Sequence, residues 1–319
     1  MEMVSESLSR ILADLKGKSF ISCNDLNAHQ IEAIHKLALQ LKNGERKIDL
    51  GGRVLGLIFS KASTRTRVSF QVAMTRLGGQ TIDINQKTSQ LGRGEPLKDT
   101  ARVLSRYCDA LAIRTYGNDE LIEYVKWSSI PVLNALTDLE HPCQALADFL
   151  TMKEVFGKTE GLTLTYLGDG NNVAHSLMLC GALLGVNVRI SCPKGFEPIP
   201  SVIDQAKALA KESGSNIEIS HNPLEAVNGS NVIYTDVWAS MGQEKEQLHR
   251  EEAFKDFTLD NRLVDKADSK AIVLHCLPAH RGEEISDEVL EGKRSRVFDQ
   301  AENRLHVQQA LLAALLGGL

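Results

Sequence analysis

The apolar positions change rhythm near residue 50. Before it they recur at helical spacing: Leu8, Ile11, Leu12 and Leu15 make one stripe, and Ile31, Ile34, Leu37, Ala38 and Leu41 make another. Two amphipathic helices follow from that spacing. After it, short apolar runs alternate with helical stripes. The runs predict strands over 54–59, 81–85, 110–114 and 131–135, and the stripes predict helices over 68–77, 99–107 and 119–127. A long helix over 146–156 is entered through His141-Pro142-Cys143-Gln144, and the polar, glycine-flanked stretch 157–161 marks a domain joint. A second alternating series places strands over 162–167, 187–191, 217–220, 232–235 and 271–275, with helices over 173–184 and 202–211. The acidic span 244–268 reads as helix and loop. A short strand over 296–298 precedes a last helix over 304–316.

Repeated strand–helix units imply parallel sheets covered by helices on both faces. At 319 residues the chain is long for a single core. The expectation is α/β, with two doubly wound domains over 1–150 and 151–303, and a C-terminal helix, 304–319, packed back on the first. In such sheets ligands bind outside the carboxyl ends of the strands. The unusual polar residues fall there. Ser63 to Arg67 follow one strand, Arg114 ends another, and His141 to Gln144 follow a third. Asn171 and Asn172, then Asp236 with Ser240 and Met241, then Cys276 and Leu277, follow strands of the second series. Together they predict a cleft between two domains.

Composition narrows the class of partner. A net charge of −5 and a pI near 6.0 supply no basic surface for nucleic acid or an anionic membrane. No apolar run reaches the roughly 20 residues that span a bilayer. Six cysteines without a C-x-x-C pair fit the reduced thiols of a cytosolic enzyme. The N-terminus carries Glu2, Glu6 and Asp14, so it reads as neither a signal peptide nor a transit peptide, and the opening Met argues against a leader already removed.

Each polar cluster admits two readings. Ser63-Thr64-Arg65-Thr66-Arg67 lies between a strand and a helix, where free backbone N–H groups, hydroxyls and arginines suit a phosphate dianion. It also reads as an N-cap serine with two solvated arginines. Arg114 is either a surface charge or a phosphate ligand. His141 and Gln144 bring a ring N–H and an amide to one helix mouth, matching a carbonyl oxygen and an NH₂ group, or they cap the helix. Asp236 with Ser240-Met241-Gly242 holds an amine, or makes an Asx-turn and cap. Gly168-Asp169-Gly170-Asn171-Asn172 invites a dinucleotide reading. Val173 occupies the third glycine position and the next strand ends in Ser191-Cys192, so both confirming features are missing. His275-Cys276-Leu277-Pro278 tempts a thiol-nucleophile or metal reading. No ligand partner stands at metal-like spacing and no base is adjacent, so neither is expected.

In order and spacing, the Ser63 to Arg67 motif, His141 to Gln144, Asp236 with Ser240-Met241-Gly242, and His275 to Pro278 resemble the ornithine carbamoyltransferases across nearly the whole chain. The first two motifs are shared with aspartate carbamoyltransferases, and the last two look like the ornithine branch. Acetylornithine-type relatives usually alter the first motif, which is intact here. The resemblance implies transfer of a carbamoyl group from carbamoyl phosphate to the δ-amine of L-ornithine, a step of arginine biosynthesis or the urea cycle, without metal or organic cofactor. It implies that Ser63, Thr64, Arg65 and Thr66 hold the phosphate with Arg114 bridging, and that His141 and Gln144 hold the carbamoyl oxygen and NH₂. The resemblance further implies that Gln90, on the polar loop 86–96, reaches carbamoyl phosphate from a neighbouring subunit of a homotrimer, which can assemble further, and that Asn172, Asp236, Ser240 and Met241 bind ornithine. It implies that Cys276 and Leu277 lie beside the reacting amine, that Arg304 completes the carbonyl-side contacts, and that Arg114, His141, Cys276 and Arg304 serve catalysis. Rival readings are a carbamoyltransferase for putrescine or an acylated ornithine, a nicotinamide-dependent dehydrogenase, and a regulatory protein that binds the same ligands without turnover.

Overall fold

The computed structural model describes residues 2–85, 94–239 and 247–319. The chain forms two compact units, 1–146 with 304–319, and 147–303. The divisions fall inside two helices, Pro142–Phe156 and Val297–Leu316.

The first unit is built on a parallel four-stranded sheet. Its strands are β1 (Val54–Phe59), β2 (Gln80–Ile84), β3 (Ala110–Arg114) and β4 (Val132–Leu136), in the order β2-β1-β3-β4. β1 and β3 are central, so their apolar runs are buried almost throughout. Ile58, Leu111, Ile113, Leu121, Tyr124 and Val132 form a core beside them. The chain turns from β1 toward β2 on one side and continues to β3 on the other, which puts a topological switch point between β1 and β3. Phe59 and Arg114 are register partners at its carboxyl end. A register shift between Ile113 and Arg114 lies on the β4 side, a device that re-aims the side chain that follows. The last helix belongs to this unit from Arg304 onward, and Gly17 N–H donates to Leu315 O at 2.9 Å.

The second unit repeats the plan with five parallel strands, β5 (Thr163–Leu167), β6 (Asn187–Ser191), β7 (Ile217–Ser220), β8 (Val232–Thr235) and β9 (Ile272–His275), in the order β7-β6-β5-β8-β9. Its switch point lies between β5 and β8, where Leu167 and Thr235 are partners. Thr235 is in turn opposite His275 of β9.

Most expected elements are present, with one correction. Residues 296–298 are not a strand. Ser295 alone bridges to Val273, and the helix Val297–Leu316 begins two positions later. Val-Phe reads as extended by composition. However, Gln300 N–H bonds back to Arg296 O at 2.8 Å, the four-residue spacing of an α-helix, with Val297 buried and Phe298 61% exposed. Two helices also begin earlier than their apolar stripes, at Thr64 and at Pro142, because the polar motifs themselves form the first turns. The four-residue helices Pro223–Ala226 and Asp287–Leu290 carry no stripe and were not expected.

Candidate active site

In the first unit, Ser63 is the N-cap of the helix Thr64–Arg76, and its Oγ accepts Thr66 N–H at 3.3 Å. Thr64 and Arg65 are exposed, so they face solvent at the mouth of the switch point after β1. Arg67 instead turns to an ion pair with Asp83 and lies 5.0 Å from the Phe59 ring centre. Thr66 is buried, and its Oγ1 accepts from Arg304 at 2.6 Å. Arg304 is 3% exposed, in a stretch of its helix that also buries Asn303, His306 and Gln308. Arg114 ends β3 across the same switch point.

His141 precedes the helix Pro142–Phe156, with Pro142 at the first helical position, where its missing N–H costs nothing. His141 O accepts the N–H groups of Gln144 and Ala145. His141 and Gln144 are both buried. Burial, then the positive charges of Arg304 and Arg114, hold the His141 imidazole well below its ordinary titration range. It is therefore neutral at pH 7, able to donate one ring N–H to a carbonyl without carrying charge. Burial pushes the Cys143 thiol up to about 12, so it is inert. The first unit thus gathers Ser63, Thr64, Arg65 and Thr66 with Arg114, His141, Gln144 and Arg304. Gln90 lies outside the described residues.

In the second unit, Asn171 caps the helix Asn172–Leu183, its Oδ1 accepting from Val173 N and Ala174 N. Its Nδ2 donates to Asp236 Oδ2 at 2.9 Å, across the switch point between β5 and β8. The other oxygen of Asp236 accepts Val237 N–H at 2.8 Å and the Cys276 thiol at 2.9 Å. Burial first, then the Asp236 carboxylate, raises Cys276 well above its ordinary value, so the thiol keeps its proton and acts as a donor. Leu277 follows with φ of +58°, a left-handed conformation that costs a branched L-residue about 1–2 kcal/mol. Asn172, assigned to ornithine by resemblance, is the first residue of its helix, and Asn171 is the one tied to Asp236. Ser240 and Met241 lie outside the described residues.

The glycine turn after β5 is shaped by backbone approach. A Cβ on Gly170 would lie 2.2 Å from Pro198 N and 2.7 Å from Phe196 O. Asp169 in this turn is anchored by Arg250, whose Nη1 donates to its Oδ2 at 2.7 Å and to Trp238 O at 2.8 Å. Burial raises Asp169, with Arg250 opposing. Arg250, in an acidic and polar stretch, gave no signal by pattern, nor did Glu284, which is wholly buried against His275.

Among the described residues, two groups bring three possible metal ligands together: Asp236, His275 and Cys276, and His280, Glu283 and Glu284. In the first, both His275 ring nitrogens are already engaged and the thiol donates to Asp236. A metal held through one ring nitrogen would have to displace that nitrogen's contact and the thiol's. In the second, His280 lies 3.4 Å from Glu283, and Glu284 Oε1 already accepts two protein N–H groups. No helix among the described residues is long and apolar enough to cross a membrane.

Comparison with known proteins bears on both units. Residues 18–154 match the family model of the aspartate/ornithine carbamoyltransferase carbamoyl-P binding domain, and residues 160–315 match that of the Asp/Orn binding domain. A Prochlorococcus marinus protein named ornithine carbamoyltransferase is 71% identical over 319 residues, covering 100% of each chain. The crystal structure of ornithine carbamoyltransferase from Gloeobacter violaceus is 52% identical, with a TM-score of 0.87, over 95% of this chain and 99% of that one. The ornithine carbamoyltransferase from Pyrococcus furiosus is 47% identical, with a TM-score of 0.92, over 96% and 99%.

Proposed function

The chain belongs to the aspartate/ornithine carbamoyltransferase family, and from that premise we propose how it acts: it transfers the carbamoyl group of carbamoyl phosphate to the δ-amine of L-ornithine, releasing L-citrulline and phosphate. Asp236 carries the choice of amine. A buried carboxylate with Asn171 and Cys276 on its two oxygens attracts an ammonium or amine and would repel the side-chain carboxylate of aspartate.

In this proposal the N-terminus of the helix Thr64–Arg76, with Ser63, Thr64, Arg65 and Thr66, holds the phosphate, and Arg114 bridges from β3. Neutral His141 donates to the carbamoyl oxygen, Arg304 adds positive charge beside it, and Gln144 accepts from the carbamoyl NH₂. These donors stabilise the oxyanion as it forms. Ornithine binds to Asp236 and Asn172 with Ser240 and Met241, its δ-amine beside Cys276 and Leu277. The ammonium gives one proton to solvent before attack. The neutral amine nitrogen forms its bond to the carbamoyl carbon, the C–O bond to phosphate breaks, and the leaving phosphate takes the nitrogen's second proton. Cys276 keeps its own proton throughout.

Carbamoyl phosphate then belongs to the domain over 1–150 and ornithine to that over 151–303. We also place the reaction in arginine biosynthesis, in the cytoplasm, in a homotrimer whose Gln90 serves a neighbouring subunit. The supports are the family resemblance and, for location, the six unpaired cysteines. Carbamoyl transfer is the test: citrulline formed from L-ornithine is measured beside the corresponding carbamoylated products of putrescine, N-acetylornithine, N-succinylornithine and L-aspartate. Strong preference for ornithine is expected. Preference for another amine would retain the phosphate half and overturn the ornithine half.

A further inference from the structure

Cys276 and Leu277 leave β9 through a turn whose shape is set from behind. Leu277 is the one non-glycine residue with positive φ among those described. Its backbone N–H donates to His275 Nδ1 at 2.9 Å. An amide N–H can only donate, so Nδ1 must present a lone pair. The imidazole is therefore the neutral tautomer with its proton on Nε2. That N–H points at Glu284 Oε1, 2.9 Å away, and both side chains are 0% exposed. The same oxygen accepts His280 N–H at 2.6 Å, which fixes the carboxylate. The backbone of His275 is held independently, its N–H on Gln300 Oε1 at 2.9 Å. Gln300 is itself pinned by donating to Asp148 Oδ1 at 2.7 Å and Tyr234 Oη at 3.1 Å.

The other oxygen of Glu284 is buried with no hydrogen-bond partner among the described residues. A carboxylate in that position is costly, and well-packed apolar side chains often serve stability as well or better. What apolar packing cannot do is choose a tautomer. With the proton on Nδ1 the ring would face the Leu277 N–H donor to donor, and the left-handed turn would lose its restraint.

We propose that Glu284 is a positioning residue for carbamoyl transfer: it holds the His275 proton on Nε2, keeps Nδ1 free to accept from Leu277, and so fixes the Cys276–Leu277 segment. This takes as given the placement of that segment beside the reacting amine under the proposed function. Glu284 touches no substrate. Its effect passes through His275 to the backbone.

The test uses the full chain. Nitrogen-15 NMR of the histidine ring nitrogens, with His275 assigned by its loss in His275→Asn, is expected to show Nε2 protonated and Nδ1 unprotonated at neutral pH. Glu284→Ala is expected to lower kcat about tenfold, the scale on which a slightly misplaced positioning group costs rate, while the KM for carbamoyl phosphate stays within about twofold. Should Glu284→Ala not fold, a second pair decides. His275→Asn keeps an acceptor near the Nδ1 position, whereas His275→Gln keeps only a group near Nε2. The Asn variant is expected to retain about tenfold more kcat than the Gln variant. A proton on Nδ1, native kcat in Glu284→Ala, or equal activity of the two His275 variants would overturn the proposal. Absence of citrulline formation by the native chain would overturn the functional reading instead, and the ring-nitrogen signals of Glu284→Ala, set beside those of the native chain, would still report whether Glu284 sets the tautomer.

Discussion

The Arg304 guanidinium donates to the Thr66 hydroxyl oxygen at 2.6 Å, joining side chains 238 positions apart in the sequence. Arginine has no acceptor, so the threonine oxygen must accept, and its O–H remains available to donate. Thr66 N–H is meanwhile taken by Ser63 Oγ. The contact therefore sets the direction of the hydroxyl that the proposed function assigns to phosphate. Thr66→Val is expected to raise the KM for carbamoyl phosphate by at least about tenfold, the worth of one hydrogen bond to a charged group. The KM for ornithine should move far less. Steady-state kinetics with each substrate varied in turn would check this, and equal changes in both would refute it.

Asn171 serves two masters that can be separated. Its Oδ1 caps a helix and its Nδ2 holds Asp236. Asn171→Ala loses both and should cost about 1–2 kcal/mol of stability, the usual cost of a lost cap. Asn171→Ser keeps a capping oxygen but lacks the amide reach to Asp236. It is expected to melt near the native temperature yet show a raised KM for ornithine. Thermal unfolding and kinetics on the two variants would separate the roles.

His141 should leave a signature in acid stability. It is held well below its ordinary range by burial and by Arg304 and Arg114, whereas in the unfolded chain it takes up a proton near pH 6.5. Between those two values the unfolded state binds the extra proton, so stability falls as pH drops below about 6.5. This residue contributes up to about 1.4 kcal/mol per pH unit to that fall. Urea unfolding at a series of pH values should show a shallower acid loss in His141→Gln than in the native chain. Parallel curves would show that His141 is not buried neutral.

Cys276 should be a sluggish thiol. Burial, then Asp236, pushes it well above its usual value. Alkylation by iodoacetamide at pH 8 is expected to run at least about tenfold slower than for a free cysteine, whose pKa is near 8.5. Asp236→Asn removes the second cause and should speed labelling. Mass spectrometry of the labelled peptide would follow both, and native labelling at the free-cysteine rate would refute the assignment. In stability terms a raised thiol favours the fold below about pH 8.5, and that contribution is lost as pH rises beyond it.

The central strands were readable because they are buried on both faces. A continuous apolar run such as Val54–Phe59 or Val232–Thr235 has little other use, and the glycines and polar motifs that follow mark where it ends. Ser63 was readable both as a cap and as a ligand, and the cap is what the structure holds, its oxygen serving the helix at whose mouth Thr64 and Arg65 are exposed. The strand expected over 296–298 failed because two β-favouring residues cannot show which side of the chain will be covered. Val297 buried beside exposed Phe298 is a tertiary outcome.

Local pattern was sufficient for the alternation of strands and helices, the parallel sheets, and the rule that chemistry gathers at strand ends, because each depends on residues near one another in sequence. Only the tertiary structure decided which strand ends adjoin. The order β2-β1-β3-β4 sets Phe59 beside Arg114, and β7-β6-β5-β8-β9 sets Leu167 beside Thr235 and Thr235 beside His275. From those registers follow the Asn171–Asp236 and Cys276–Asp236 contacts. The Arg304–Thr66 contact and the protonation states of His141 and Cys276 were likewise set by packing. Hydrogen-bond partners and desolvation are properties of neighbours in space, and a periodic pattern along the chain carries no record of them.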